Sequence, residues 1–267
     1  MPPAARVSRG TEMIGRISAV ARNTFREAIR DKVLLTLLVF GILVMGSAKV
    51  IQPLALGEET KVVKDLGLAS ITLFCVLIAV LVGGRLVYKE IEKRTIYIVL
   101  AKPVRRWEFV LGKFAGLMAV LLASLGLMTV GFYLILFATG IDAPAYLLWS
   151  LLMTYFELAV ITAVAILFST FVTPIASAVF TFAIYAVGHL TRDLRLLAVM
   201  SPSPIVKGVS QFLYYVLPNL SNFNIRGEVV HNALLNPQAL GLSVLYAVAY
   251  TATLLLISIF IFSRKDF

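Results

Sequence analysis

KEIEKRTIYIVLAKPVRRWEFVLGK, residues Lys89–Lys113, is a dense basic block set between hydrophobic stretches, each about as long as a bilayer is thick. Loops rich in Lys and Arg face the cytoplasm, so this block predicts which way the neighbouring spans run. The composition agrees with a membrane setting. Of 267 residues 60% are hydrophobic and 14% charged, against about 25% charged in a soluble chain, and that apolar excess cannot be hidden in one water-soluble core. The formal charge of +10 comes from basic residues at span ends and in short loops, a pattern that suits headgroups or a cytoplasmic protein partner and not nucleic acid.

Working outward from the block, six segments are long and apolar enough to cross the hydrocarbon core: about Val33–Ile51, Gly67–Tyr88, Gly112–Thr139, Tyr146–Phe171, Pro174–Leu190 and Leu240–Phe262. The fifth is the shortest. Arg6, Arg9, Arg16, Arg22, Arg26, Arg30 and Lys32 precede the first span and place the N-terminus inside. The 139–145 link has no Lys or Arg and belongs outside, while Arg264 and Lys265 place the C-terminus inside. The expectation is an all-α polytopic protein of six transmembrane helices with both termini cytoplasmic, forming one domain over 1–267. No cleaved signal peptide is read, because the basic N-terminal segment meets no apolar core before Val33.

Three stretches outside the spans carry structure of their own. In the cytoplasmic segment 1–32, Ile14, Ile17, Ala21, Phe25 and Ala28 follow helical spacing, with Arg16, Arg26 and Arg30 mostly on the other side, which predicts a helix lying in the inner headgroup layer. In the cytoplasmic loop 89–111, a helix continuing from Lys89 towards Ala101 is broken by Pro103, and Trp107, Glu108 and Phe109 open the next helix. In the 191–239 link, Ser203 and Pro204 start a helix whose apolar face runs through Ile205, Val206, Val209, Phe212, Leu213, Val216 and Leu217 until Pro218. That link is expected outside, as amphipathic or re-entrant helices on the outer surface, although Arg192, Arg195, Lys207 and Arg226 pull against the charge rule.

Catalytic patterns are missing from the sequence: there is no GxxxxGK[ST], HExxH, CxxC or GxSxG. His189 and His231 lie far apart, and the one cysteine, Cys75, sits in a hydrophobic run. No catalytic residue, metal site or cofactor is assigned to the chain. Glu157, inside WSLLMTYFELAVITAVAILF, is the one carboxylate deep in a span; it either serves a pathway or fixes packing through Thr154, Tyr155 or Thr162. Gly112 and Gly116 form a GxxxG pair and Gly83 and Gly84 end the second span, suggesting close helix contact. Arg85 and Lys49 read as snorkelling side chains at span ends.

Glu90, Glu92, Thr95, Leu100, Pro103, Val104, Arg106, Gly112 and Lys113 resemble the E-x-E-x-G-T…LL-x-x-P-V-x-R…GK pattern of type-2 ABC transporter permeases. The likeness is to the permeases of the multidrug, bacitracin and sodium export systems and of nitrous-oxide-reductase maturation. Glu157 with Leu167-Phe168-Ser169, and Tyr215-Val216-Leu217-Pro218-Asn219, add to it; Arg94 departs from it, standing where many relatives have glycine. The resemblance implies a permease in the bacterial inner membrane that exports a substrate. Its loop would be a coupling helix meeting a separate ATPase subunit through Glu90, Glu92, Lys93, Arg94, Tyr97, Pro103, Arg105 and Arg106. ATP and Mg would be bound in that partner, a second permease copy would complete the pathway within membrane lipid, and an extracytoplasmic accessory protein is a further partner of the same kind. Phe212, Tyr215 and Pro218 are candidates for an outer gate. Two rivals are a scaffold that passes ATP-driven motion to an outer partner, and a secondary transporter, against which the lack of an internal repeat counts.

Overall fold

The structure, a computed structural model, describes residues 3–51, 58–92, 105–200, 203–231, 233 and 235–264. Its regular elements are helices: α1 (Pro3–Ile29), α2 (Lys32–Ile51), α3 (Glu59–Glu92), α4 (Arg106–Thr139), α5 (Leu147–Ser169), α6 (Pro174–His189), α7 (Thr191–Met200), α8 (Pro204–Val216), a 3₁₀ turn (Leu220–Phe223), α9 (Arg226–Val230) and α10 (Pro237–Ser263). Five of them, α2, α3, α4, α5 and α10, are long and apolar enough to cross a membrane. The fifth expected span is different. α6 has 16 residues, about 24 Å at 1.5 Å per residue, and falls short of a hydrocarbon core of about 30 Å. The other spans match the expected segments, with α3 and α4 extended by one to two turns at their polar ends, where hydropathy is blind to helix.

α5 is the centre of the bundle, packed against α3, α4, α6 and α10. Leu158, Val160, Ile161 and Ala163 of α5 meet Ile71, Cys75 and Val76 of α3 and Leu121 and Met128 of α4 in one core. Helices in lipid are held by van der Waals fit and polar contacts, since acyl chains are as apolar as the core itself. A buried contact between α3 and α6 is of that kind: the Ser177 hydroxyl donates to the Ala165 carbonyl of α5 at 3.2 Å and lies against Gly84. By contrast α2 and α10 turn rows of large apolar side chains outward, Leu35, Val39 and Leu43 on one, Leu242, Leu245 and Leu256 on the other.

The N-terminal helix forms as expected, but protein covers much of its apolar face. α1 packs along the first turns of α4, and the GxxxG pair is the contact. A Cβ on Gly112 would sit 2.6 Å from Val20 Cβ, and one on Gly116 2.6 Å from the Ala21 carbonyl oxygen and 2.7 Å from Thr24 Cβ. Only glycine lets the two backbones come so close. Thr24 is wholly buried there because its hydroxyl returns to the Val20 carbonyl at 2.9 Å.

Candidate functional site

At the end of the bundle that carries the basic loop, both flanks of that loop are fastened. α4 opens with Glu108 buried, accepting from the Arg105 backbone N–H at 2.8 Å and lying 3.5 Å from the Arg16 guanidinium of α1. The Arg106 guanidinium donates to the carbonyls of Phe262 and Ser263 at 3.0 and 2.9 Å. These carbonyls end α10, where the last turn lacks intrahelical partners and a cation is favoured. Phe109 stacks on Phe262 at 5.9 Å, and the buried Lys113 ammonium lies 5.7 Å above the Phe109 ring. On the other flank, Arg85 of α3 pairs with Asp31, whose second oxygen caps α2 by accepting from the Val33 N–H at 2.9 Å. Arg85 is therefore an ion-pair partner and not the snorkelling residue expected; Lys49, in contrast, is exposed at the end of α2.

Of the expected loop residues, Glu90 and Glu92 fall in the last turn of α3, Arg105 is the N-cap of α4 and Arg106 its first residue. Lys93, Arg94, Tyr97 and Pro103 lie outside the described residues.

Glu157 lies 12 residues before the end of α5, about 18 Å along its axis. Its side chain is 2% exposed and its carboxylate is 2.7 Å from His189 Nε2. The expected partners are engaged elsewhere or stand apart: the Thr154 hydroxyl donates to the Ser150 carbonyl at 3.0 Å, Tyr155 packs edge-on against Phe156, and Thr162 Oγ1 has no hydrogen-bond partner among the described residues. His189 closes α6, with the Tyr185 ring edge-on to it at 4.8 Å. An imidazole and a carboxylate at this distance make a strong hydrogen bond, and loss of the imidazole leaves a buried carboxylate without a partner.

α6 stops at His189 because the next backbone segment is bonded to it. The Thr191 hydroxyl faces the Gly188 carbonyl and, at 3.0 Å, Asn219 Oδ1; the Ser221 hydroxyl donates to the His189 carbonyl at 2.8 Å. From α10, the Tyr246 hydroxyl accepts from the Asn219 N–H at 2.9 Å, and Tyr250 donates to the Val216 carbonyl at 3.0 Å. Gly188 admits this crossing strand: a Cβ there would sit 2.8 Å from Leu220 and 2.9 Å from the Pro218 carbonyl oxygen. Tyr246 and Tyr250 stand 17 and 13 residues before Ser263, about 26 and 20 Å along α10, so the base of this segment is level with Glu157. Irregular backbone at such depth is stable only when its polar groups find partners, as here.

Between Thr191 and Leu217 the chain forms a helical hairpin, α7 packed on α8 with the Arg195 guanidinium 5.9 Å from the Tyr214 ring. The predicted apolar face of α8 is turned outward, with Ile205, Val209, Phe212 and Val216 exposed. Among the gate candidates, Phe212 and Tyr215 are exposed one turn apart on α8 and Pro218 is buried at the hairpin base. An open cavity of about 470 Å³ lies beside the base, lined by Tyr185, His189, Asp193, Ser221, Asn224 and Arg226.

A family model described as "ABC-2 family transporter protein" matches residues 18–267. The chain belongs to the ABC-2 transporter family. No curated protein matches it. As a member of the ABC-2 family it is a multi-pass membrane component of a transporter, of the kind that associates with ATP-binding cassette ATPase subunits. The matched region of this ABC-2 protein takes in the basic loop, the buried Glu157–His189 pair and the helical hairpin.

Sequence reasoning missed His189 as the partner of Glu157, and Arg16, Asp31 and the α10 carbonyls as partners of the loop flanks. One signal was available for the first. Pro174–Leu190 is short for a simple span and carries a histidine, His189, next to its end, which marks a place where polar groups must meet inside the bundle.

Proposed function

We propose that this ABC-2 protein is the permease half of an ATP-driven exporter of the bacterial cytoplasmic membrane, with both termini in the cytoplasm. It works with two separate ATPase subunits, where ATP and Mg are bound, and with a second permease copy, identical or similar. The family match over nearly the whole chain carries this reading. The fastened flanks of the basic loop support it, since a push on a loop moves a bundle only when the helices on both sides are anchored.

In this reading the 89–111 loop docks on the ATPase through Glu90, Glu92, Lys93, Arg94, Tyr97, Pro103, Arg105 and Arg106. Closure of the ATPase pair shifts the loop, and α3 and α4 carry α1, the α1–α2 junction and α10 with them as a rigid body. A sixth crossing is made in two pieces: α6 runs to the level of Glu157, and the 3₁₀ turn and α9 continue beyond it. The hairpin with Phe212, Tyr215 and Pro218 stands at the outer side as a gate, and Glu157 with His189 holds its base.

The test is purification of the chain in mild detergent from its native membrane, with mass spectrometry of the proteins that accompany it. A Walker-motif ATPase is expected, and it should be lost, or its turnover uncoupled, in the Glu92→Ala/Arg94→Ala double variant. A chain that purifies alone overturns the ATP-driven reading; retained ATPase with normal coupling in the double variant overturns the docking surface.

A further inference from the structure

Arg226 and Asp193 face the same cavity with opposite charges, and among the described residues neither forms a salt bridge. The side-chain bond of Arg226 runs from its Nε to Asn224 Oδ1 at 3.3 Å, so its terminal guanidinium nitrogens are not spent on that bond, and both residues line the cavity. The Tyr185 hydroxyl adds a further polar group to the wall, while Ser221 is already committed to the His189 carbonyl. His189 is matched by Glu157 behind it, so the pair adds no net charge when both are ionised.

Two opposite charges on one open cavity, Asp193 exposed and Arg226 half-buried, offer a zwitterion a partner for each of its ends. A volume of about 470 Å³ is in the range of small-ligand sites and generous for a headgroup. Exposed apolar side chains stand close in sequence to three of the lining residues. Phe182 lies one turn before Tyr185 on α6, Leu196 one turn after Asp193 on α7, and Leu190 follows His189; all three are exposed. A soluble ligand has no use for such a margin, whereas acyl chains do.

From this we propose that the cavity binds a zwitterionic phospholipid headgroup of the phosphoethanolamine type. The phosphate is held by Arg226 and Asn224, the ammonium by Asp193, and the acyl chains lie along Phe182, Leu190 and Leu196. The site is independent of whether the bound lipid is cargo or a fixed component, and it does not rest on the ATP-driven reading.

Native mass spectrometry of the full chain in mild detergent, offered equal amounts of phosphatidylethanolamine and phosphatidylglycerol, tests the proposal. The unaltered chain should retain phosphatidylethanolamine about tenfold better; Asp193→Asn should erase that preference and Arg226→Gln should lower retention of both lipids about tenfold, each about the worth of one charge-assisted contact. Asp193→Lys should reverse the preference towards phosphatidylglycerol, a gain that misfolding cannot imitate; Lys49→Gln should change nothing. Equal retention of the two lipids by the unaltered chain, an undiminished preference in Asp193→Asn, or undiminished retention of both lipids in Arg226→Gln overturns the site. Displacement of the lipid by glycerophosphoethanolamine at equal concentration would overturn the membrane source and assign the charge pair to a soluble zwitterion.

Discussion

Replacing Gly116 by alanine adds one Cβ to α4, placed 2.6 Å from the Ala21 carbonyl oxygen, 2.7 Å from Thr24 Cβ and 3.0 Å from Thr24 Cγ2. Ordinary contact between such atoms is about 3.5–4.0 Å, so α1 must retreat by about 1 Å. No rotamer change relieves the clash, because the two nearest atoms are fixed to the α1 backbone. Overpacking of this kind costs about 1–3 kcal/mol, and the helix gains about 0.5–1 kcal/mol from losing a glycine. The net loss of about 1–2 kcal/mol lowers the docked-to-undocked ratio of α1 by roughly 5- to 30-fold. Amide hydrogen exchange of residues 13–29 in the purified full-length protein reads this directly, as faster exchange of that peptide. Gly126 on the same helix has nothing within 4 Å of an added Cβ, so Gly126→Ala should leave residues 13–29 unchanged. Gly112→Ala should resemble Gly116→Ala, and Val20→Ala should not rescue it, since the nearest atom is the Val20 Cβ that alanine keeps. If Gly116→Ala exchanges like Gly126→Ala, the GxxxG docking of α1 is wrong.

Three further outcomes follow from the contacts described. Glu157→Leu and His189→Leu should each lower stability by about 2–4 kcal/mol, and the double variant should recover at least about 1 kcal/mol relative to their sum; additive losses in thermal unfolding would refute the pair. Arg106→Ala removes two charge-assisted bonds to the end of α10 and should cost about 2 kcal/mol, seen as faster exchange at 260–264; unaltered exchange there would show that the clamp does not hold. Gly188→Ala drives a Cβ into Leu220 and the Pro218 carbonyl and should cost about 1–3 kcal/mol, with loss of protection at 219–223; retained protection would show that the hairpin base tolerates the side chain.

The long helices were legible from hydropathy because each carries about 20 apolar residues of its own, a local property. Pairings between distant residues were not. Gly112 and Gly116 announced a close contact, yet nothing in their spacing names Val20, Ala21 and Thr24 on the N-terminal helix as the other side. Arg85 near a span end is explained by the charge rule alone, and only the fold brings Asp31, 54 residues away, to it. Glu157 was flagged by its burial in an apolar run, but its neighbours in sequence were the natural guesses for a partner. The observed partner comes from a helix that stops part-way, and a stopping point set by Gly188, Thr191 and Asn219 is a tertiary feature. The apolar face of α8 was read correctly as a face, but periodicity does not say what covers it.

The truncated α6 also bears on how the protein is made. A mostly apolar helix of only 16 residues followed by a polar turn is a weak signal for membrane insertion, and the groups that stabilise its end belong to α5, already synthesised, and to α10, synthesised last. The α6–α9 region therefore reaches its final position only after the C-terminal helix has entered the bilayer and supplied Tyr246 and Tyr250. In a chain cut before α10, the Asn219 N–H and the Val216 carbonyl lose Tyr246 and Tyr250, the partners that seat the hairpin base.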